Sequence, residues 1–291
     1  MDINLELYKV FYHVATTLSF SMASKQLFIS QSAVSQSVKT LETKLNQTLF
    51  IRSTKKVQLT PEGEILFRHI EPAMNLIHRG ESQIVDVAEN GGQLRIGASD
   101  TICRYFLVPY LEKFHKAFPG THIKVTNQTS IKCVELLETG QVDIIVTNSP
   151  NPNLRNISSV RKIKRFQDVF IANHTFKELQ NQKLTFKDLS RYPILMLDNK
   201  STTSEFLHRL FQQNQLDLVP EIELSSNDLL IDLARIGLGI AFIPNYCLTR
   251  ANQDLFIVET KDKLPPRELV LAYNEHLPIS KAAEAFLKLF D

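Results

Sequence analysis

The sequence predicts an α+β segment followed by an α/β one: three short helices with a two-stranded hairpin, one long helix, then two α/β lobes. Three observations carry this. Val34, Val38, Leu41 and Leu45 recur at steps of four, three and four, which at the helical turn angle is one narrow apolar stripe. Leu66, Ile70, Ala73, Ile77, Gly80, Ile84 and Val87 continue such alternation over a longer stretch, the seam of a helix that pairs with a copy of itself. From Gln93 onward short β-branched runs alternate with amphipathic ones, the pattern of βα units and a largely parallel sheet.

Taken in order, Ile3, Leu7, Val10, Phe11 and Val14 give a first helix whose apolar side can cover the next two from behind. Ser21 can cap a short second helix through Gln26, with Ala23 small enough for a close crossing. Phe28-Ile29-Ser30 leads to the third helix, and Ser30 is its N-cap. Two short helices so joined make a helix-turn-helix. The outer side of the third carries Ser32, Ser35, Gln36, Lys39 and Thr43, with Ser30 and Gln31 at its start. Hydroxyl and amide groups both donate and accept, as base edges in a major groove require. An ordinary solvated face is the plain alternative, but such faces are rich in Glu and Lys, and this one is not.

Residues 49–52 and 57–59 read as two short strands, with Ser53-Thr54-Lys55-Lys56 as the turn between them. A hairpin with cations at its tip, directly after a reading helix, is a wing. It would set Arg52, Lys55 and Lys56 against phosphates, which adds affinity and register without reading sequence. Residues 1–60 hold seven basic side chains against three acidic ones, a local excess of four where the whole chain carries +2. That is an electrostatic footprint for DNA.

Thr60-Pro61-Glu62 starts the long helix with a capping hydroxyl, a proline at the first helical position and an acid near the positive end. Pro72 and Gly80 predict a kink or break, and a helix packed on its own domain could show the same seam. Asn90-Gly91-Gly92 ends it. The segments are therefore 1–60, 61–91 and 92–291. The last has strands at 94–98, 123–126 and 142–147 with helices at 105–116 and 131–138. After 160–165 and 168–172, two strands close enough to be a crossing, a second set follows at 194–197, 204–214, 222–224, 228–236 and 240–243. Residues 269–273 and the closing helix 281–290 return to the first set. One lobe is thus about 92–164 plus 268–291, the other about 165–267.

Two lobes joined by a double crossing leave a cleft, and ligands of open parallel sheets lie beyond the C-terminal strand ends. There the polar residues are Ser99, Asp100 and Thr101 after the first strand, and Thr129 and Ser130 before the helix near Ile131. Thr147 and Asn148 follow the third strand, Ser201 and Thr202 follow Leu197, and Ser226 with Asn227 opens the helix that leads to Ile236. Hydroxyls and N–H groups at helix starts suit a carboxylate or similar anion. Capping explains each such residue equally well; the cluster argues for a pocket. Asp100 argues against a densely anionic ligand unless Arg104 or Lys200 offsets it.

The stretch ISQSAVSQSVKTLETKLNQTLFIRSTKKVQLTPEG resembles the N-terminal signature of the LysR-type transcriptional regulators of bacteria. There a Ser-Gln-x-Ala-Val-Ser helix leads into Leu-Glu, Leu-Phe-x-Arg and Leu-Thr-x-x-Gly. Leu136-Leu137-Glu138-Thr139-Gly140-Gln141-Val142-Asp143 and Gly237-Leu238-Gly239-Ile240-Ala241-Phe242-Ile243-Pro244 resemble pieces of the same family's effector domain, so the likeness spans the chain. Ser32 stands where the family often has Pro, and Gln36 where Arg is common, which favours adenine over guanine. The resemblance implies a winged helix-turn-helix, a dimerising linker helix and a two-lobed effector domain like the periplasmic binding proteins. It also implies homodimers or homotetramers that bend double-stranded promoter DNA, a small-molecule effector that changes the bend, and RNA polymerase as a further partner. Ser99, Thr129 and Ser130 match positions that commonly touch ligands in the family.

Other classes fit less well. A 291-residue chain with 43% hydrophobic and 22% charged residues is that of a soluble protein of two or three domains. No apolar run approaches a membrane span, and Asp2 and Glu6 stand where a signal peptide would be basic, which places the chain in the cytoplasm. There is no Walker loop and no G-x-S-x-G turn. Gly237-Leu238-Gly239 lies between a helix and the next strand, the reverse of a dinucleotide loop. The eight His show no metal spacing, so neither catalysis, a metal nor a cofactor is expected. Two alternatives stand beside the regulator. One is a redox-sensing regulator using Cys103 or Cys133, although lone cysteines are usually buried small hydrophobes. The other is a cytoplasmic solute-binding receptor, for which residues 1–60 would have no purpose.

Overall fold

The computed structural model describes residues 3–52, 56–88, 92–249 and 253–291, and of 83 and 85–88 the backbone alone. The chain divides into two compact units that change over between Val85 and Asp86. In the first, α1 (Leu5–Thr17), α2 (Phe20–Leu27) and α3 (Gln31–Leu45) are capped by Asn4, Ser19 and Ser30. Ser21, the cap predicted from sequence, lies inside α2. Leu18 turns left-handed and leaves Ser19 extended, so the Ser19 hydroxyl accepts from the Met22 N–H at 3.2 Å instead. A left-handed Phe28 then ends α2, which gives the turn of the helix-turn-helix. Of the apolar stripe of α3, Val34, Val38 and Leu41 have no exposed surface, packed with Val10, Phe11 and Val14 of α1 and Ala23 of α2, and Leu45 is partly buried against the same cluster.

β1 (Phe50–Arg52) and β2 (Val57–Leu59) pair antiparallel with Phe50 opposite Leu59. The intervening residues 53–55, which include the wing cation Lys55, lie outside the described residues. α4 (Pro61–Ala88) runs unbroken through Pro72 and Gly80, so of the kink or break that the sequence predicts there the break does not occur. Pro72 removes one hydrogen bond from a helix of 28 residues, and Gly80 costs only backbone entropy. The seam of α4 is buried at one end only. Leu66 and Ile70 pack on the core of their own unit, whereas Ala73, Ile77, Gly80 and Ile84 are exposed. Val87 has no described side chain.

The second unit begins with β3 (Gln93–Ala98) and α5 (Asp100–Ile102), which a π-helical turn over Cys103–Leu107 joins to α6 (Val108–Ala117). β4 (His122–Asn127), α7 (Ser130–Glu138), β5 (Ile144–Ser149) and β6 (Ser159–Phe166) follow. Next come β7 (Asp168–Asn173), β8 (Lys183–Leu184), α8 (Phe186–Leu189), β9 (Ile194–Leu197) and α9 (Thr202–Gln213). The chain ends with β10 (Ile222–Leu224), α10 (Asn227–Arg235), β11 (Ile240–Pro244), β12 (Leu255–Thr260), β13 (Arg267–Tyr273) and α11 (Lys281–Leu287).

These strands form two sheets, in the orders β4-β3-β5-β13-β6 and β10-β9-β11-β7-β12-β8. Each is mixed where the sequence predicts a largely parallel one. β3 runs parallel to β4 and β5, and β9 to β10 and β11. β13 and β7 are antiparallel to both of their neighbours. They are the strands by which the chain enters each lobe from the other. They start at the crossing, where the βα strands end, and so run against them. Asp168 and Arg267 are the first residues of these two strands.

Candidate functional site

On α3 the Ser30 hydroxyl accepts from the Ala33 N–H at 3.1 Å and lies 2.8 Å from the Ser32 hydroxyl. Gln31, Ser32, Gln36 and Lys39 are exposed and Ser35 is half-exposed. Glu42, the one acid in this helix, turns away from that surface. Its carboxylate accepts from the Leu49 and Phe50 N–H groups at 2.8 and 3.3 Å and so fixes the entry to β1. Arg52 closes the arrangement. Its Nη1 donates to the Ser35 Oγ at 2.9 Å, its Nη2 lies 3.7 Å from Glu42, and its guanidinium stacks 4.4 Å from the Phe20 ring centroid. Lys56 is exposed.

The second site is a cleft of about 360 Å³ between the two sheets. All but one of the predicted residues line it, among them Ser99, Asp100, Thr101, Thr129, Ser130, Asn148, Ser201, Thr202 and Ser226. Thr147 does not. It is wholly buried, and its hydroxyl donates to the Ser130 carbonyl at 3.3 Å, so it supports the wall from behind. Four hydroxyls here are helix caps: Ser99 accepts from Ile102, Thr129 from Lys132, Ser201 from Thr203 and Ser204, and Ser226 from Leu229. Capping uses the acceptor side of a hydroxyl and leaves its hydrogen to donate. Capping and ligand contact are therefore compatible. Asn127, Gln128, Asp198, Thr203, Ser225, Asn227 and Tyr246 also line the cleft.

No basic side chain lines it among the described residues. Arg104 instead lies 3.5 Å from Asp228, and Lys200 is exposed. One guanidinium is hidden behind the wall. Arg267 is 1% exposed; its Nη1 donates to the Asp168 carboxylate and to the Thr203 hydroxyl, both at 3.0 Å, and its Nη2 to the Thr202 hydroxyl at 3.1 Å. Phe166 and Phe206 flank it at 5.4 and 5.0 Å. Because Thr202 and Thr203 accept from Arg267, their hydrogens are left to donate. Three buried atoms at the cleft have no partner: Asn148 Oδ1, Asn227 Oδ1 and the Tyr246 hydroxyl.

Against known families, residues 5–64 match the bacterial regulatory helix-turn-helix proteins of the lysR family, and residues 88–291 match the LysR substrate binding domain. The chain is a LysR-type transcriptional regulator. It is 27% identical over 296 residues to a probable RuBisCO transcriptional regulator of Cyanidioschyzon merolae, covering 98% of this chain and 97% of that one. Full-length CbnR in complex with its target DNA has the same fold, with a TM-score of 0.66, 16% identity and 99% of each chain covered. The regulatory domain of CcmR from Synechocystis in complex with 2-PG has a TM-score of 0.62 and 19% identity, covering 68% of this chain and 95% of that one.

The function of this LysR-type regulator is transcriptional regulation, not catalysis, through DNA and a small-molecule effector. Among the described residues no His, Cys, Asp or Glu cluster could hold a metal, and no helix is long and apolar enough to cross a membrane. Burial pushes the Cys103 thiol up to about 11 and the Cys133 thiol up to about 12, which keeps both protonated and weakly nucleophilic at neutral pH. Cys133 is fully buried, and neither lines the cleft. Sequence reasoning missed Arg267 and Asp168, which stand 99 residues apart. The one available signal was that each opens a strand at a crossing.

Proposed function

We propose that this regulator reads promoter DNA with Ser30, Gln31, Ser32, Ser35, Gln36 and Lys39, with Lys55 and Lys56 on phosphates, and binds a small polar carboxylate between its lobes. The observation that carries the ligand reading is the set of unpartnered buried atoms Asn148 Oδ1, Asn227 Oδ1 and Tyr246 Oη at one cleft. A buried polar atom left without a partner costs about 1–3 kcal/mol, so a ligand that supplies hydrogen bonds there is favoured. The donor hydroxyls at the helix starts, with Thr202 and Thr203 backed by Arg267, suit a carboxylate. Asp100 and Asp198, also in the lining, disfavour a second negative group. A carboxylate that also carries hydroxyl or ammonium donors meets both demands.

The exposed Ala73, Ile77, Gly80 and Ile84 of α4 suit pairing with a second copy, which would present two reading helices to an inverted repeat. The effector acts only in so far as it binds one assembly geometry better than the other. The ligand reading is tested by calorimetry on the full-length protein with C2–C4 hydroxy, amino and keto acids and 2-PG. Combining Ser99→Ala, Thr129→Ala and Ser130→Ala is expected to weaken the best of these at least about tenfold, since each hydrogen bond is worth about 0.5–1.5 kcal/mol. Unchanged affinity would place the pocket elsewhere.

A further inference from the structure

The hydroxyls of α3 are not equivalent. Thr40 and Thr43 donate back to the Gln36 and Lys39 carbonyls at 2.8 and 2.9 Å, so their hydrogens are already used. Ser30 and Ser32 are bonded to one another. Among the described residues Ser35 has one bond only, and in it Ser35 is the acceptor, from Arg52 Nη1 at 2.9 Å. A guanidinium can donate but never accept. The Ser35 hydrogen is therefore free, and it opens on a hollow of about 400 Å³ that Gln31, Ser32 and Val57 also line. Arg52 cannot easily swing aside, because it stacks on Phe20 and faces Glu42.

We infer that Arg52 is a positioning residue that biases Ser35 toward donating when it reads the major groove. A free serine hydroxyl pairs with either kind of base edge. One that already accepts from a guanidinium is polarised toward donating and keeps a single, weaker lone pair, so it favours a purine N7, guanine O6 or thymine O4. Cytosine offers only its N4 amino donor in that groove, so donor would meet donor. At the position that Ser35 meets, cytosine is disfavoured while the other three bases are tolerated. The inference rests on the placement of Ser35 in the groove proposed above. It also gives Arg52 a different duty from the phosphate contact that its place in the wing suggests.

The test is selection of full-length protein on a random duplex pool, with sequencing of the bound fraction for wild type, Ser35→Ala, Arg52→Met and Arg52→Lys. Wild type should under-represent cytosine at one position by about two- to tenfold, the ratio that one hydrogen bond is worth. Arg52→Met should admit cytosine at that position and leave the rest of the motif intact. Arg52→Lys, which still donates, should restore the bias against it. Ser35→Ala should flatten the same position. If Ser35→Ala changes no base frequency, Ser35 is not a reader and the placement itself fails. If Ser35→Ala does change one but Arg52→Met only weakens all sequences alike and lowers the salt slope, Arg52 is a phosphate contact and the inference is overturned. Should Arg52→Met not fold, Arg52→Leu, which likewise makes no hydrogen bond to Ser35, must admit cytosine at that position, or the inference fails.

Discussion

Arg267→Met is expected to destabilise the effector-binding unit by about 3–5 kcal/mol, the cost of leaving the partner of a buried ion pair alone. Both side chains of the Arg267–Asp168 pair are fully buried, and the same guanidinium holds the Thr202 and Thr203 hydroxyls. The loss should depend on pH. Burial raises the Asp168 carboxyl above its ordinary value, while Arg267 pulls it back down. In the variant only the raising cause is left, so the folded state binds the Asp168 proton more tightly than the unfolded state does. Stability from such a group is fully present below the unfolded pKa, about 4, and is lost as pH rises through the folded value. The deficit against wild type should therefore be greatest at neutral pH and shrink as pH falls toward 5. Urea unfolding at pH 7 and pH 5 measures this. A second change, Asp168→Asn, should recover part of the loss at pH 7 and little at pH 5. A deficit that is the same at both values would mean that the charge is not what the arginine supplies.

Gly63→Ala is expected to have the next largest effect, on the DNA-binding unit. A Cβ on Gly63 would stand 2.2 Å from the Leu49 carbonyl oxygen and 3.0 Å from a Leu59 methyl. The first of these atoms is backbone and cannot rotate away. The same carbonyl accepts from the Thr60 N–H at 3.0 Å, and the Thr60 hydroxyl, donating to the Thr48 carbonyl, accepts from the Gly63 N–H. One methyl therefore strains the joint that ties the start of α4 to both wing strands. Overpacking of this kind costs about 1–3 kcal/mol, and a backbone neighbour puts Gly63 at the upper end. Amide exchange at Thr60 should speed up in the full-length variant, and DNA affinity should fall for all sequences. Wild-type exchange at Thr60 would show that the wing absorbs the methyl without loss.

What was legible in the sequence was what one element decides alone. The α3 stripe of Val34, Val38 and Leu41 has a single period, and all three are buried. The helix start at Ser226 follows from local capping chemistry, and because βα strands end together the polar residues after them, Ser99 and Ser201 included, meet with it at one cleft. What several elements decide jointly was hidden. The cap of α2 moved to Ser19 because Leu18 adopts a left-handed turn that its own side chain disfavours. β12 went unread because its inner and outer residues, such as buried Val258 and half-exposed Ile257, take their places only against β7. The α6 helix was read from Tyr105 although helical structure begins at Asp100, since the π turn at Cys103–Leu107 shifts the apolar period. The Arg52–Ser35 and Arg267–Asp168 bonds are tertiary, and no spacing announces them.

The central claim is that paired reading helices recognise defined promoter sequences. Sequencing the DNA that is recovered with this regulator from its own cells tests it most directly. The account predicts discrete promoter sites, each a short inverted repeat. Even coverage of the chromosome, with no repeat shared among the recovered fragments, would contradict it.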